Sequence, residues 1–281
     1  MTRTIRATFV LLALGLRPCW AQESQSLQLR YKFQPGQVLD FDVVQTAEIE
    51  MTVQGQTTLV TNDTTSLRRW KVREVDAQGT ANIEISTERV HMRSTEGEQT
   101  IEFDSADPAK QPEALRHVAP LIGKPLSLLR VSPQGAVLEE KLLMKAEGVA
   151  TMEAGQILPL LPERPVSPGQ SWKHQFTLKL PKGLPKDLPA RQTFKLADVK
   201  DVLATIEFTT AILAPIDDPQ IEAQLVQHRP AGTVQFDLRR GLIVAQTLSV
   251  DETVVGFAGP ASSFRIKSKY SERLAKPSAA E

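Results

Sequence analysis

The chain holds 281 residues, with 33 basic and 33 acidic side chains, four histidines and one cysteine. A formally neutral chain gives no electrostatic footprint for nucleic acid or an anionic membrane, and one cysteine excludes both an internal disulfide framework and a thiolate metal cluster. Aromatic residues make up 5% of the sequence, so any core must be built mainly of Leu, Val and Ile.

Arg3 and Arg6 precede an apolar run over residues 7–16, then Arg17-Pro18-Cys19-Trp20-Ala21 and a polar stretch from Gln22. Positive, apolar, then small is the order of a cleavable secretion signal. The run is about half the roughly 20 residues of a membrane-spanning helix. Residues 1–21 are therefore expected to be a signal peptide cut after Ala21, and no transmembrane segment is expected. Lipid modification of Cys19 is the alternative, but Arg17 and Pro18 do not suit it. Removing Arg3, Arg6 and Arg17 leaves 30 basic against 33 acidic residues, a net charge of −3. About 260 mature residues suffice for one large sheet domain or two smaller ones.

From there the pattern has period two. Leu27, Leu29, Tyr31 and Phe33 alternate with polar residues and predict a half-buried strand, ended by Pro35-Gly36. Leu39, Phe41 and Val43, then Ile49, Met51 and Val53, continue the alternation, and residues 57–75 hold one or two further strands around Leu67, Trp70 and Val72. After a turn at Asp76-Ala77-Gln78-Gly79 the phase breaks: Ile83 and Ile85 are odd-numbered, Val90 and Met92 even-numbered. A bulge near Glu88 would put both pairs on one face.

The middle reads differently. Pro112 opens a short helical stretch through Leu115, Val118 and Ala119, and residues 126–131 form a strand turned at Ser132-Pro133-Gln134-Gly135. Residues 139–154 are rich in helix formers. Ile157-Leu158-Pro159-Leu160-Leu161-Pro162 has too many prolines for a helix or a central strand, and is expected to cover the sheet. Beyond Pro168-Gly169-Gln170, Trp172, His174, Phe176, Leu178 and Leu180 share one face. Residues 181–189 form a proline-rich loop, and strands are expected near 193–199, 202–213, 221–227, 233–238, 242–255 and 263–271, with a frayed tail at 275–281. Pro-Gly-Gln recurs at 35–37 and 168–170, which suggests pseudo-repeats over 27–138 and 166–274 joined by a helical segment at 139–165. The fold class is thus mainly β: a large curved antiparallel sheet, an open barrel or half-barrel, with a few short helices covering it, in one exported domain over 22–274.

Tyr31-Lys32-Phe33-Gln34-Pro35-Gly36, Trp70-Lys71-Val72, and Pro159-Leu160-Leu161-Pro162-Glu163-Arg164-Pro165-Val166 leading to Pro168-Gly169-Gln170-Ser171-Trp172 together resemble an uncharacterised family of bacterial exported proteins, defined as a domain of unknown function. The resemblance covers most of the mature chain and implies a β-rich exported protein, with no catalytic residues to carry over. In architecture the curved, covered sheet is also similar to periplasmic lipoprotein carriers of the localisation-factor type, although fold does not fix function.

Chemistry-bearing motifs are sparse. His91, His117, His174 and His228 show no metal-ligand spacing, and no metal or cofactor is expected. His174, between Trp172 and Phe176, reads first as a histidine at the core edge and second as a ligand contact. Asp217-Asp218-Pro219 and Asp104-Ser105-Ala106-Asp107 lack calcium-loop spacing and suit turns. No Gly-x-Ser-x-Gly elbow or phosphate loop occurs, and Asn62-Asp63-Thr64 fits a glycosylation triplet with meaning only on a eukaryotic secretory route. The expectation is a non-enzymatic exported protein, periplasmic or extracellular, that binds a lipid or other apolar molecule in the sheet's concavity, with Trp172, His174, Phe176, Ile157 and Leu160 as ligand-contacting candidates. The alternatives are a cell-envelope interaction module and a hydrolase using residues such as His174 and Asp218.

Overall fold

The computed structural model describes residues 26–107, 109, 111–116, 118–144, 158–178 and 187–276. Twelve strands form one antiparallel sheet that does not close: β1 Val38–Val53, β2 Gln56–Val75, β3 Ala81–Glu96, β4 Gln99–Asp104, β5 Pro125–Val131, β6 Val137–Leu142, β7 Ser171–Leu178, β8 Leu188–Lys200, β9 Leu203–Ile212, β10 Ala231–Asp237, β11 Leu242–Val255 and β12 Ser263–Leu274. The spatial order is β6-β5-β3-β2-β1-β12-β11-β10-β9-β8-β7, with β4 paired to β3 off that path. The chain thus enters at a central strand, meanders to one edge, crosses to the far edge and meanders back until β12 lies beside β1.

Alternation decides which face is buried. Leu39, Phe41 and Val43 of β1 point into the core while Val38, Asp42 and Val44 stay exposed. Their inner-face neighbours are Trp70 of β2, Ile83 and Ile85 of β3, Phe194 and Leu196 of β8, Ile206 and Phe208 of β9 and Phe236 of β10, all in one apolar cluster. Each such side chain contributes about 1.5–3 kcal/mol on burial. The expected phase break in β3 is a bulge: Leu67 faces Arg89 and Arg68 faces Thr87, leaving Glu88 as the extra residue. That insertion keeps Val90 and Met92 on the same face as Ile83 and Ile85.

Three sequence expectations are corrected. Residues 27–33 alternate as a strand should, yet only Leu27 bridges, to Val166, and the segment joins no ladder. Instead it runs extended across the core, with Leu29, Tyr31 and Phe33 buried. Tyr31 N donates to Pro133 O at 2.8 Å and Lys32 N to Gly241 O at 3.1 Å, so consecutive residues tie the β5–β6 turn to the β10–β11 turn. Period two reports extended backbone with one buried side, and a core-crossing segment satisfies that as well as a sheet strand does. The sheet must curve strongly to bring these turns together, and glycine permits the contact. A Cβ on Gly135 would lie 2.5 Å from a Tyr31 ring carbon, and one on Gly241 2.5 Å from Lys32 Cγ.

Second, the segment expected to be helical from Glu139 begins as strand: β6 pairs β5 from Val131↔Val137 to Ser127↔Leu142. Pairing with a formed neighbour outweighs helix propensities of a few tenths of a kcal/mol per residue. Residues 145–157, which carry the rest of that expected helix and Ile157, lie outside the described residues. Third, the strand expected at 221–227 is a helix, α1 (Pro219–Leu225), followed by a 3-10 turn at Val226–His228. Asp218 caps it by accepting from Gln220 N at 2.8 Å, and Pro219 sits in the first turn, where its missing N–H costs nothing. In a run this short, Ile221, Ala223 and Leu225 fit either period.

The β4–β5 and β9–β10 connections each cover part of the inner face. The β4–β5 link forms two 3-10 turns, Glu113–Leu115 and Ala119–Leu121, and packs Val118 on Val90 and Phe103. The β9–β10 link carries α1 and its 3-10 turn, which lay Ala223 and Val226 on Val250, Val254 and Ile266, and Leu225 on Leu178, Leu188 and Ala190. The two Pro-Gly-Gln turns are built alike. Gly36 N donates to Val72 O and Val72 N to Gln37 O; Gly169 N donates to Leu196 O and Leu196 N to Gln170 O. In both, the Gln side chain accepts from the backbone N three residues earlier, Gln34 and Ser167. The expected signal peptide, the loop over 181–186 and the tail beyond 276 lie outside the described residues.

Candidate functional site

The inner face is tiered. Its lowest tier is the apolar core, plugged by residues 27–33 and 158–166, with Leu158 and Leu161 each 2% exposed. The covering role expected of the proline-rich run 157–162 therefore holds for its described residues. The upper tier is covered by the β4–β5 link over β3 and β4 and by α1 over β11 and β12. Between those covers the inner positions of β1 and β2 stay open: Gln45 is exposed, and Ala47, Asn62, Thr64 and Ser66 are partly exposed, with Ser268 of β12 beside Ala47. Ile49 and Val60 face each other further along this strip. The floor of the trough is thus uncharged but mostly polar, with Gln45, Asn62, Thr64, Ser66 and Ser268 around Ala47, and Ile49 and Val60 at its outer end.

At the inner end of the trough, where it meets the core, stands an ionic group. Glu272 is buried, its side chain 0% exposed, and it accepts from Arg68 Nη1 at 3.2 Å, from Gln246 Nε2 at 2.8 Å and from the Tyr270 hydroxyl. Arg68 Nη1 also donates to the Tyr270 oxygen at 2.8 Å, and its guanidinium lies 5.8 Å from the Tyr270 ring centroid. Burial pushes the Glu272 carboxyl above the ordinary carboxylate range, against the opposing pull of Arg68 and of the hydrogen bonds from Tyr270 and Gln246. Burial first, then the Glu272 charge, raises the Tyr270 and Tyr31 hydroxyls. Glu272 is closed to solvent, so it acts on its neighbours and offers no surface to a substrate. Arg68 keeps 15% of its side chain exposed. Its Nε and Nη2 carry no protein partner among the described residues and are not sealed from solvent.

No part of this group was singled out from the sequence. The available signal was in register: Arg68 and Glu272 occupy positions whose alternation partners, Trp70 and Tyr270, are core residues. A charge in phase with a buried stripe marks a paired buried ion.

The expected ligand-contacting residues are partly brought together. Trp172, His174 and Phe176 share the inner face of edge strand β7, opposite Phe194, Gln192 and Ala190. Trp172 Nε1 donates to Leu160 O at 2.7 Å and stacks on Phe194 at 5.5 Å, so Trp172 and Leu160 meet within the core plug. His174 stacks on Phe176 at 5.8 Å, and burial lowers its pKa. Ile157 lies outside the described residues. This wall faces the same concavity as the trough but sits at the opposite flank, beyond β12–β8.

The remaining candidates disperse. His91 pairs with Glu102 at 2.9 Å on the outer face, His228 ends the 3-10 turn after α1, and His117 is outside the described residues. Asp218 is a helix cap, and Asp104 and Asp107 accept from backbone N–H groups of their own turn. Among the described residues no group of three or more His, Cys, Asp or Glu side chains converges as a metal site. A recess of about 470 Å³ lies on the outer face, lined by Glu74, Asp76, Asn82, Arg130, Glu139 and Lys141, in which Arg130 pairs with Asp76 at 3.8 Å and Asn82 donates to Glu74 at 2.6 Å. No described helix is long and apolar enough to cross a membrane. No protein-family model matches the chain, and no curated protein matches it.

Proposed function

We propose that this is an exported, non-enzymatic protein that holds a lipid or other apolar molecule against the inner face of its curved sheet, in the trough over β1, β2 and β12. The observation that carries the reading is the uncovered strip itself. Gln45 is exposed, and Ala47, Val60, Thr64 and Ser268 are partly exposed, between two covered flanks, although the face they belong to is elsewhere buried. No inner position of the strip carries a charge, and Ala47 and Val60 give a hydrocarbon apolar contacts beside the uncharged side chains of Gln45, Asn62, Thr64, Ser66 and Ser268. The N-terminal positive–apolar–small order supports export, to the periplasm or beyond. Mass spectrometry of extracts from the protein purified out of its native host tests this. A defined lipid species at near-stoichiometric amount is expected, while a lipid-free preparation that also fails to enhance the fluorescence of N-phenyl-1-naphthylamine would remove the reading.

A second reading, an interaction module of the cell envelope, has its own observation. Edge strand β6 and the residue after it expose Leu138 at 57%, Leu142 at 60% and Leu143 at 41%, beside a strand edge that no other strand among the described residues pairs. Apolar residues on a free edge invite strand addition by another chain. Affinity capture with Leu138→Lys and Leu142→Lys would lose a specific partner if β6 is the contact, and unchanged recovery would discard this reading.

A further inference from the structure

We infer that the outward edge of the Arg68 guanidinium is the anchor for an anionic lipid headgroup, a carboxylate or a phosphate, whose hydrocarbon tail runs along the trough. The inference rests on the lipid-binding reading above and adds the headgroup chemistry to it. Three observations carry it.

Arg68 is oriented from behind. Nη1 is committed to Glu272 and the Tyr270 oxygen, and Gln246 in turn fixes Glu272, so the guanidinium plane is set by a network extending over β2, β11 and β12. Nε and Nη2, on the opposite edge, have no protein partner among the described residues and are not sealed from solvent. Two parallel N–H groups in a fixed plane match the two oxygens of a carboxylate or phosphate, a geometry that lysine does not reproduce.

The position is also right for an amphiphile. Arg68 stands where the trough meets the core: from Ser66 the inner positions of β2 run outward through Thr64 and Asn62 to Val60, opposite Val43, Gln45, Ala47 and Ile49. A headgroup at Arg68 leaves its tail the length of that neutral strip, away from the plugged core.

Finally, packing alone does not require the ion pair. A buried pair seldom outperforms apolar residues of equal volume in stability. Here one partner is sealed while the other keeps an open edge, the arrangement of a charge held for use.

Displacement of the neutral probe N-phenyl-1-naphthylamine from the purified protein by dodecanoate, 1-dodecanol and inorganic phosphate tests the anchor. Dodecanoate is expected to displace the probe at concentrations about tenfold lower than 1-dodecanol, the scale of one charge-assisted hydrogen bond, and phosphate alone to displace it weakly. Arg68→Met should abolish the preference for dodecanoate over 1-dodecanol. Because that variant strands a buried carboxyl, the double variant Arg68→Met, Glu272→Gln is measured beside it and should behave identically. Probe binding with equal displacement by dodecanoate and 1-dodecanol, or a preference that survives both variants, would overturn the anchor and leave the apolar-ligand reading standing. Displacement by phosphate as strong as by dodecanoate would overturn the lipid headgroup in favour of a free anion. Failure to bind the probe or either amphiphile would remove the lipid-binding reading and the anchor with it.

Discussion

Arg68 and Glu272 meet 3.2 Å apart although strand β1 lies between their own strands, β2 and β12. The contact passes over the inner face of β1 between Phe41, opposite Arg68, and Val43, opposite Glu272. It ties the first strand pair of the chain to its last strand, and so stitches the seam at which the two meanders join.

The pH dependence of stability should carry the mark of Glu272. Burial raises its folded pKa above the ordinary 4.5, so between those two values the folded chain binds a proton that the unfolded chain has lost. That stability is full below about pH 4.5 and declines as pH rises through the folded value. Glu272→Gln removes the titration. Urea unfolding at a series of pH values should show the wild-type curve falling relative to that of Glu272→Gln above pH 4.5, with the difference constant below it.

His174 should act in the opposite sense. Burial lowers its pKa from 6.5, so as pH falls through 6.5 the unfolded chain takes the proton first and the folded state loses stability. Imidazole resonances in heteronuclear NMR should place the His174 midpoint below 6.5, and His174→Gln should flatten this part of the stability profile. A midpoint at or above 6.5 would contradict the half-buried placement beside Phe176.

Residues 27–33 belong to the core although they join no ladder. Leu29→Ala should therefore cost about 2–5 kcal/mol in urea unfolding, the cost of a cavity in a close-packed core. Leu138→Ala, on the exposed edge of β6, should cost less than about 0.5 kcal/mol.

Gly135 has φ +88°, and a Cβ there would lie 2.5 Å from the Tyr31 ring and 2.8 Å from Pro159 O. Gly135→Ala should destabilise by about 2–3 kcal/mol, combining backbone strain with overpacking. Recovery of part of that loss in Gly135→Ala, Tyr31→Leu, read as a double-mutant cycle, would place the clash at the ring.

Asp218 caps α1, accepting from Gln220 N at 2.8 Å. Asp218→Ala should lower stability by about 1 kcal/mol and leave amphiphile displacement unchanged. A loss of binding without loss of stability would reassign Asp218 to the site.

The strands were legible because period two is a local property: Leu39, Phe41 and Val43, or Trp172, His174 and Phe176, declare their shared face with no knowledge of their neighbours. So was the bulge at Glu88, since an odd-to-even change of apolar phase admits few other solutions. The ambiguous segments were those where one local pattern serves two structures. Residues 27–33 are extended whether or not they pair, residues 221–225 fit a strand or one short helix, and residues 139–142 carry helix formers that pairing with β5 recruited into the sheet.

By itself the sequence determined the fold class, the turns and the buried stripe of each strand, because backbone geometry and side-chain alternation are set over a few residues. Tertiary structure alone decided the order of strands, the plugging of the core by residues 27–33 and 158–166, and the meeting of Arg68 with Glu272 across β1. Those depend on which distant segments come to lie side by side, and on burial, which turns two unremarkable charges 204 residues apart into one network.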